Sequence, residues 1–480
     1  MWSTHAGKRR HAEAVTIRPV RAGIAAGHPA TAEAGIEILQ EGGTAADAAV
    51  AASLASCVAE TVMTGLLGGG HAIYFDAARG RVRNLDCFVA VPGLGAEWRE
   101  PELHHLDVPF GAELVHYAVG PASCAVPGLP AGLEALWRAY GRLPWPRLVE
   151  PALELARRGV EMLPAQASCL AMLAPVMTMN EGTRIYAPGG NLLETGGLLE
   201  QPGLVPALEL VAIEGPQSVY SGTLGEALLA LLRERDGVVT AGDLAAYEVR
   251  WSEPVEVRYH GACFLTRAGL SGVPETLARL PELGRLAETE RVLTLVDVLA
   301  DSGSSGHTTN LCVADDEGSA CVLTTSLGLG SGDYLPGFDL HLNSMLGETE
   351  LLRGPLEPGE RMESMMAPSL ALEDGRLALA IGAAGGTRLR TALVVVVAGV
   401  LDEGLPPPAA IARPRAHPAG GTINAEPGVD EAALTQLETR GWAVRRWPAP
   451  HHYFGGVSAI GRAGAAGDPR RSGAALELGS

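Results

Sequence analysis

The stretch TTNLCVADDEGSACVLTTS (Thr308–Ser326) decides how the chain is read. TTNLCVAD and SACVLTTS each alternate in strand fashion around Asp316-Glu317-Gly318, a hairpin turn signal. The small, polar SGSSGH (302–307) precedes it. The ordinary reading is a loop leading into a β-hairpin. The sharper reading is that the chain is cut before Thr308. A threonine hydroxyl is a weak nucleophile until a base sits beside it, and the residue's own α-amine can be that base. That amine exists only after the peptide bond is broken. The Thr308 hydroxyl would attack the carbonyl of His307, and the ester so formed would hydrolyse, leaving 1–307 and 308–480.

Working outward, GRLALAIGAAGGTRLRTALVVVVAGVL (375–401) reads as strand, glycine loop and buried helix. Gly385 and Gly386 stand where backbone N–H groups at a helix start could face a developing oxyanion. Before the hairpin, PATAEAGIEILQEG (29–42) has the spacing of an amphipathic helix stopped by Gly42 and Gly43. Thr44 is placed to cap a second helix of small residues over 44–61, suited to close packing. TGLLGGGHAIYFD (64–76) runs from glycine loop to strand. Phosphate cradles need strand, loop, then helix, so crowding of the backbone explains these glycines better. Residues 121–160 suggest a strand, a Pro/Gly turn and two amphipathic helices, and 267–300 a helical linker. A helix near 429–440 precedes short strands in WAVRRW and YFGGVSAIGRA. Helices before and after strands in both halves predict an α/β (α+β) fold, a four-layer αββα sandwich.

Composition narrows the function. The 480 residues are 47% hydrophobic and 19% charged, enough for a large core. A net charge of −19 argues against nucleic acid as a partner. The longest apolar run, Ala392–Leu401, is half of what a bilayer span needs, so no membrane role is expected. Seven scattered cysteines without a C-x-x-C pair read as buried thiols, not as a disulfide scaffold or zinc site. The N-terminus has no apolar h-region, and a cytoplasmic protein is expected. No metal site is expected: His28, His71 and His307 lack ligand spacing, and adjacent His451 and His452 suit a single ion poorly. No cofactor motif appears.

Four blocks in order carry a resemblance: AGHPATAEAGIEILQEGGTAADAAVAASLAS…ETVMTGLLGGGHAIYFD, VPGLPAGLEALWRAYGRLPWPRLVEPALELARRG, TTNLCVADDEGSACVLTTSLG and SMMAPSLALEDGRLALAIGAAGGTR. Over roughly 22–475 the chain resembles the γ-glutamyltransferase (γ-glutamyl transpeptidase) family of N-terminal-nucleophile hydrolases. The resemblance implies a self-cleaving precursor, with a large segment 1–307 and a small segment 308–480 forming one catalytic domain. It implies transfer or hydrolysis of an acyl group, of the glutathione γ-glutamyl type or less polar, from a small-molecule amide or peptide. A homodimer of the processed pair stays open. Thr308 matches the nucleophile, Ser326 a second hydroxyl that hydrogen-bonds it, and Gly385 and Gly386 the oxyanion pair. Glu348 falls where the family has an aspartate holding the substrate's α-amino group, and Ser364 matches the first of two serines near the substrate carboxylate.

Departures accompany the match. Phe88 stands where the family has the arginine that clamps the α-carboxylate, and a phenyl ring cannot replace a bidentate guanidinium. Gly328 replaces an asparagine, Met345 a glutamine and Met365 the second serine. A γ-glutamyl end would lose much of its binding, which points to a less polar acyl group, or to recognition through an arginine from another loop. The stretch 267–306 and the loop from Glu348 to Ser364 are short for the family, which suggests an open site. The contrasting reading is a non-processed, non-catalytic relative that binds a ligand or partner. For single residues the plainer readings are a solvated Glu348 and a core-filling Phe88.

Overall fold

In the computed structural model, residues 20–95, 102–110, 113–300, 308–386 and 388–479 are described. His307, on one side of the expected cut, lies outside them.

Two antiparallel sheets face each other. The first orders seven strands as Ala474–Glu477, Gly23–Ala26, Thr309–Ala314, Ala320–Ser326, Gly69–Asp76, Arg81–Cys87 and Arg250–Ser252. The second orders six as Gly464–Gly467, Gly456–Gly461, Arg376–Ala384, Ser369–Glu373, Ala262–Thr266 and Val255–Tyr259. Both sheets contain strands from each side of position 308, so neither half owns a sheet.

The period of two along a strand separates the layers. Leu311, Val313, Cys321 and Leu323 point to one side, against helices including Pro29–Gln40, Ala45–Ala59 and Trp145–Arg158. Cys312, Ala314 and Val322 point to the other, meeting Leu370, Ala380 and Ile460 of the second sheet. That sheet's outer face is covered by Val273–Arg279, Glu288–Leu299 and Arg388–Leu401. The order is helix, sheet, sheet, helix, as expected.

Local expectations hold at most of these elements. Thr44 caps the small-residue helix, with Asp47 completing a reciprocal capping box. The run Ala392–Leu401 lies in the helix Arg388–Leu401, which is buried from Arg388 to Gly399. The glycines of 68–70 are crowded by backbone: a Cβ on Gly68 would sit 2.2 Å from the Ser326 carbonyl oxygen, and one on Gly70 2.5 Å from that of Thr324. Residues 267–300 contain the two helices Val273–Arg279 and Glu288–Leu299. The strand expected at the start of 121–160 is absent: Pro121–Ser123 forms a single 3-10 turn, because Pro121 supplies no N–H to a ladder. Tyr453 and Phe454 likewise belong to a 3-10 turn, and the strand begins at Gly456. All seven cysteines are free thiols. No helix among the described residues is long and apolar enough to cross a membrane.

Candidate active site

Register builds the centre of the site. Thr309 pairs with Thr325 across the hairpin, so the next position outward sets Thr308 beside Ser326. Both threonine and serine are buried. The Ser326 hydroxyl accepts from the N–H of Gly328 (3.0 Å), which orients it at the strand end.

Thr308 and Ser326 open on a small recess that is partly open to solvent. Its wall includes Gly386, Glu348 and Ser364, and the apolar Phe88, Met345, Leu351, Met365, Met366 and Leu389. Residues separated by hundreds of positions in the chain therefore meet at the same place. Gly385 adjoins it at the start of the helix Arg388–Leu401, with φ of +131° for Gly385 and +58° for Gly386. A Cβ on Gly385 would lie 2.8 Å from the Cα of Gly455, so glycine is required there by backbone conformation and by space.

Glu348 is not a solvated loop acid. It is 4% exposed, and its Oε1 has no hydrogen-bond partner among the described residues. Burial, with the nearby Glu350 charge, pushes its carboxyl up to about 8. At neutral pH it is mostly a neutral acid, able to donate a proton to a hydrogen bond. Its size explains Gly328. A Cβ on Gly328 would stand 2.7 Å from Glu348 Oε1 and 2.6 Å from Ser344 Oγ, and φ there is +70°. The Glu348 carboxyl occupies the room that a side chain at 328 would need.

Phe88 serves packing and recess at once. It is buried in an apolar cluster with Met345, Leu351, Met362, Met365 and Met366. Its ring stacks on His71 at 5.4 Å between centroids. Burial, then the charges of Arg267 and Arg361, hold His71 well below its usual range, so that ring is neutral. Among the described residues no arginine lines the recess. Arg267 and Arg361 support it from outside: Arg267 donates to the carbonyls of Ser364 (3.0 Å) and Met366 (3.2 Å), and Arg361 to that of Phe88. The Ser364 hydroxyl accepts from Met366 N–H (3.2 Å). Asn343 fixes the turn carrying Met345 and Glu348, donating to Leu67 and Ala125 carbonyls and accepting from Ala125 and Met345 N–H.

Sequence reasoning passed over Arg267, Asn343, Leu351 and Leu389, since nothing local distinguishes them before the loops are folded together. It passed over Glu60 and Arg471 too, which lie behind the threonine pair. Glu60 left a signal: a lone acid closing a stretch of small and apolar residues. For metal ligation, His260, Glu282 and Asp402 bring one ligand-type atom each within 4.8 Å of one another, and none of them lines the recess. Each already has a partner. Asp402 accepts from the N–H groups of Leu283 and Gly284 and pairs with His260, and Glu282 pairs with Arg285.

Comparison with known proteins adds to this geometry. The family described as Gamma-glutamyltranspeptidase matches residues 31–280 and 285–478. The Acylase ACY 1 proenzyme of Pseudomonas sp. (strain SE83) is 28% identical, over 91% of this chain and 89% of its own. The Glutathione hydrolase proenzyme of Pseudomonas aeruginosa is 27% identical, over 80% of this chain and 81% of its own. The crystal structure of cephalosporin acylase from Bacillus halodurans superimposes with a TM-score of 0.80 at 20% identity, over 100% of each chain, which establishes a shared fold.

Proposed function

The chain belongs to the gamma-glutamyltranspeptidase family, and on that premise we propose that it is a precursor that cuts itself before Thr308 and then uses Thr308 to cleave or transfer the acyl group of an amide. In the first step the Thr308 hydroxyl adds to the His307 carbonyl, the peptide C–N bond breaks, and the acyl group moves to Oγ. Water then hydrolyses the ester, giving a carboxylate at 307 and a free amine and hydroxyl at 308.

In turnover the amine takes the hydroxyl proton as Oγ attacks the substrate carbonyl. The N–H groups around Gly385 and Gly386 stabilise the oxyanion, and the proton passes to the departing amine. Water or a second amine releases the acyl group. Ser326 holds the nucleophile's orientation.

One observation carries the choice of substrate: the wall facing Thr308 is made of Phe88, Met345, Leu351, Met365, Met366 and Leu389, with Glu348 as its buried acid. An α-carboxylate would enter this recess without a guanidinium to pair it, a costly desolvation. The acyl group is therefore a mainly apolar one, and any polar atom it carries meets Glu348. On this reading the chain's chemistry is nearer to that named for the acylase relative than to that named for the glutathione hydrolase. The test compares hydrolysis of hexanoyl p-nitroanilide and γ-glutamyl p-nitroanilide. A higher kcat/KM for the hexanoyl amide supports this reading, and a preference for the γ-glutamyl amide rejects it.

A further inference from the structure

The second threonine of the pair is buried on the opposite side of the strand from the acyl recess. By the two-residue period, Thr309 faces the helical layer with Leu311 and Val313, whereas Thr308 shares the side of Asn310. Behind the pair is a second recess lined by Gly27, Glu60, Thr308, Thr309, Asn310 and Arg471, among others.

Two charged side chains grip the pair from there. Glu60 is 3% exposed and ends the helix Ala45–Ala59. Its Oε2 accepts from the Thr309 hydroxyl (2.5 Å) and its Oε1 from the Thr31 hydroxyl (2.8 Å). Arg471, also buried, donates from Nη1 to the carbonyl oxygen of Thr308 (3.2 Å). The same guanidinium lies 3.4 Å from where a Cβ on Gly385 would stand, so it sits between the nucleophile's backbone and the oxyanion glycines. Gly27 makes the acid's approach possible: a Cβ there would stand 2.5 Å from Glu60 Oε2 and 2.8 Å from Thr309 Oγ1.

We infer that Glu60 and Arg471 are positioning residues, a two-sided clamp that fixes the Thr308–Thr309 backbone so that the Thr308 hydroxyl points at the carbonyl it attacks. The inference rests on Thr308 being the nucleophile. Neither side chain reaches the acyl recess. Each acts through the threonine pair, Glu60 on the side chain of Thr309 and Arg471 on the carbonyl of Thr308. An acid that holds a hydroxyl one residue from a reacting hydroxyl sets its direction, and a displacement of about 1 Å at a nucleophile costs on the order of 100-fold in rate. Arg471 pins the one peptide group shared by the nucleophile and its neighbour, leaving Thr308 its side-chain torsion as the main freedom.

The experiment follows self-cleavage of the full chain by intact mass and N-terminal sequencing, and turnover of hexanoyl p-nitroanilide. Thr309→Val keeps the shape and removes the hydroxyl, Thr309→Ser keeps the hydroxyl, Gly27→Ala pushes the acid away, and Arg471→Met removes the guanidinium. Thr309→Val, Gly27→Ala and Arg471→Met are expected to slow cleavage and kcat on the order of 10- to 100-fold, with KM changed by less than about twofold. Thr309→Ser is expected to restore both. A parent chain cut before Thr308 and a Thr309→Val chain cut at the same rate would overturn the clamp while leaving the nucleophile in place. A parent chain cut elsewhere, or not cut, would instead remove the reading on which the clamp rests.

Discussion

Replacing Glu348 by Gln gives the sharpest quantitative test of the recess. In the fold this carboxyl titrates at about 8, against 4.5 when exposed. Below pH 4.5 both folded and unfolded chains carry it protonated, and the variant differs little from the parent. Between 4.5 and 8 the unfolded chain releases the proton while the fold retains it. The unfolded state then binds fewer protons, so stability falls as pH rises, by about 1.4 kcal/mol per pH unit. Above 8 both states are ionised and the loss levels off at about 5 kcal/mol. Gln avoids this loss because it never ionises. In a Thr308→Ala background, which keeps the chain whole, urea unfolding followed by tryptophan fluorescence is expected to show the stability gap between the Gln variant and its parent widening from pH 5 to pH 8. The widening should amount to about 4 kcal/mol and stop near pH 8.5. A gap that stays constant across this range would refute the buried, neutral acid.

Two further outcomes follow from the packing around the site. Gly385→Ala, at φ +131° and with no room before Gly455, is expected to lower kcat about 100-fold or more by displacing the oxyanion donors, read from initial rates on hexanoyl p-nitroanilide. Asp468 accepts from Arg415 (2.6 Å) and Arg470 (3.2 Å) in the interior. Burial alone would raise its carboxyl, but the two guanidinium groups prevail and hold it below the usual range. Its contribution is therefore present above the ordinary aspartate pKa and lost as pH falls through the depressed one. Asp468→Ala leaves the buried Arg415 without its carboxylate, while Arg470 keeps Glu426, and is expected to cost about 3–5 kcal/mol, seen as a lowered midpoint in urea at pH 7.

The sandwich was readable because its signals are local. Thr44 precedes a helix of small residues, Asp316-Glu317-Gly318 punctuates two alternating runs, and Gly385-Gly386 separates a strand from an apolar helix. Of the positions singled out through the resemblance, the fold gathers Thr308, Ser326, Gly386, Glu348, Ser364, Met365 and Phe88 around one recess. Most of what escaped reading is non-local, Pro121 excepted. Pro121 turned an expected strand into a 3-10 turn. The burial of Glu348 depends on how the turn 345–348 is held by Asn343 against residues 67 and 125. The partnership of Glu60 with Thr309 spans 249 positions and has no periodicity to announce it.

The central claim is that the chain cuts itself before Thr308 and works from the new amine. Intact mass of the purified protein, with N-terminal sequencing of the smaller piece, tests it directly. The account predicts two pieces meeting between His307 and Thr308, the second beginning Thr-Thr-Asn-Leu, and a single intact chain for Thr308→Ala. A Thr308→Ala chain still cut at that bond, or a parent chain that hydrolyses acyl amides while remaining whole, would contradict it.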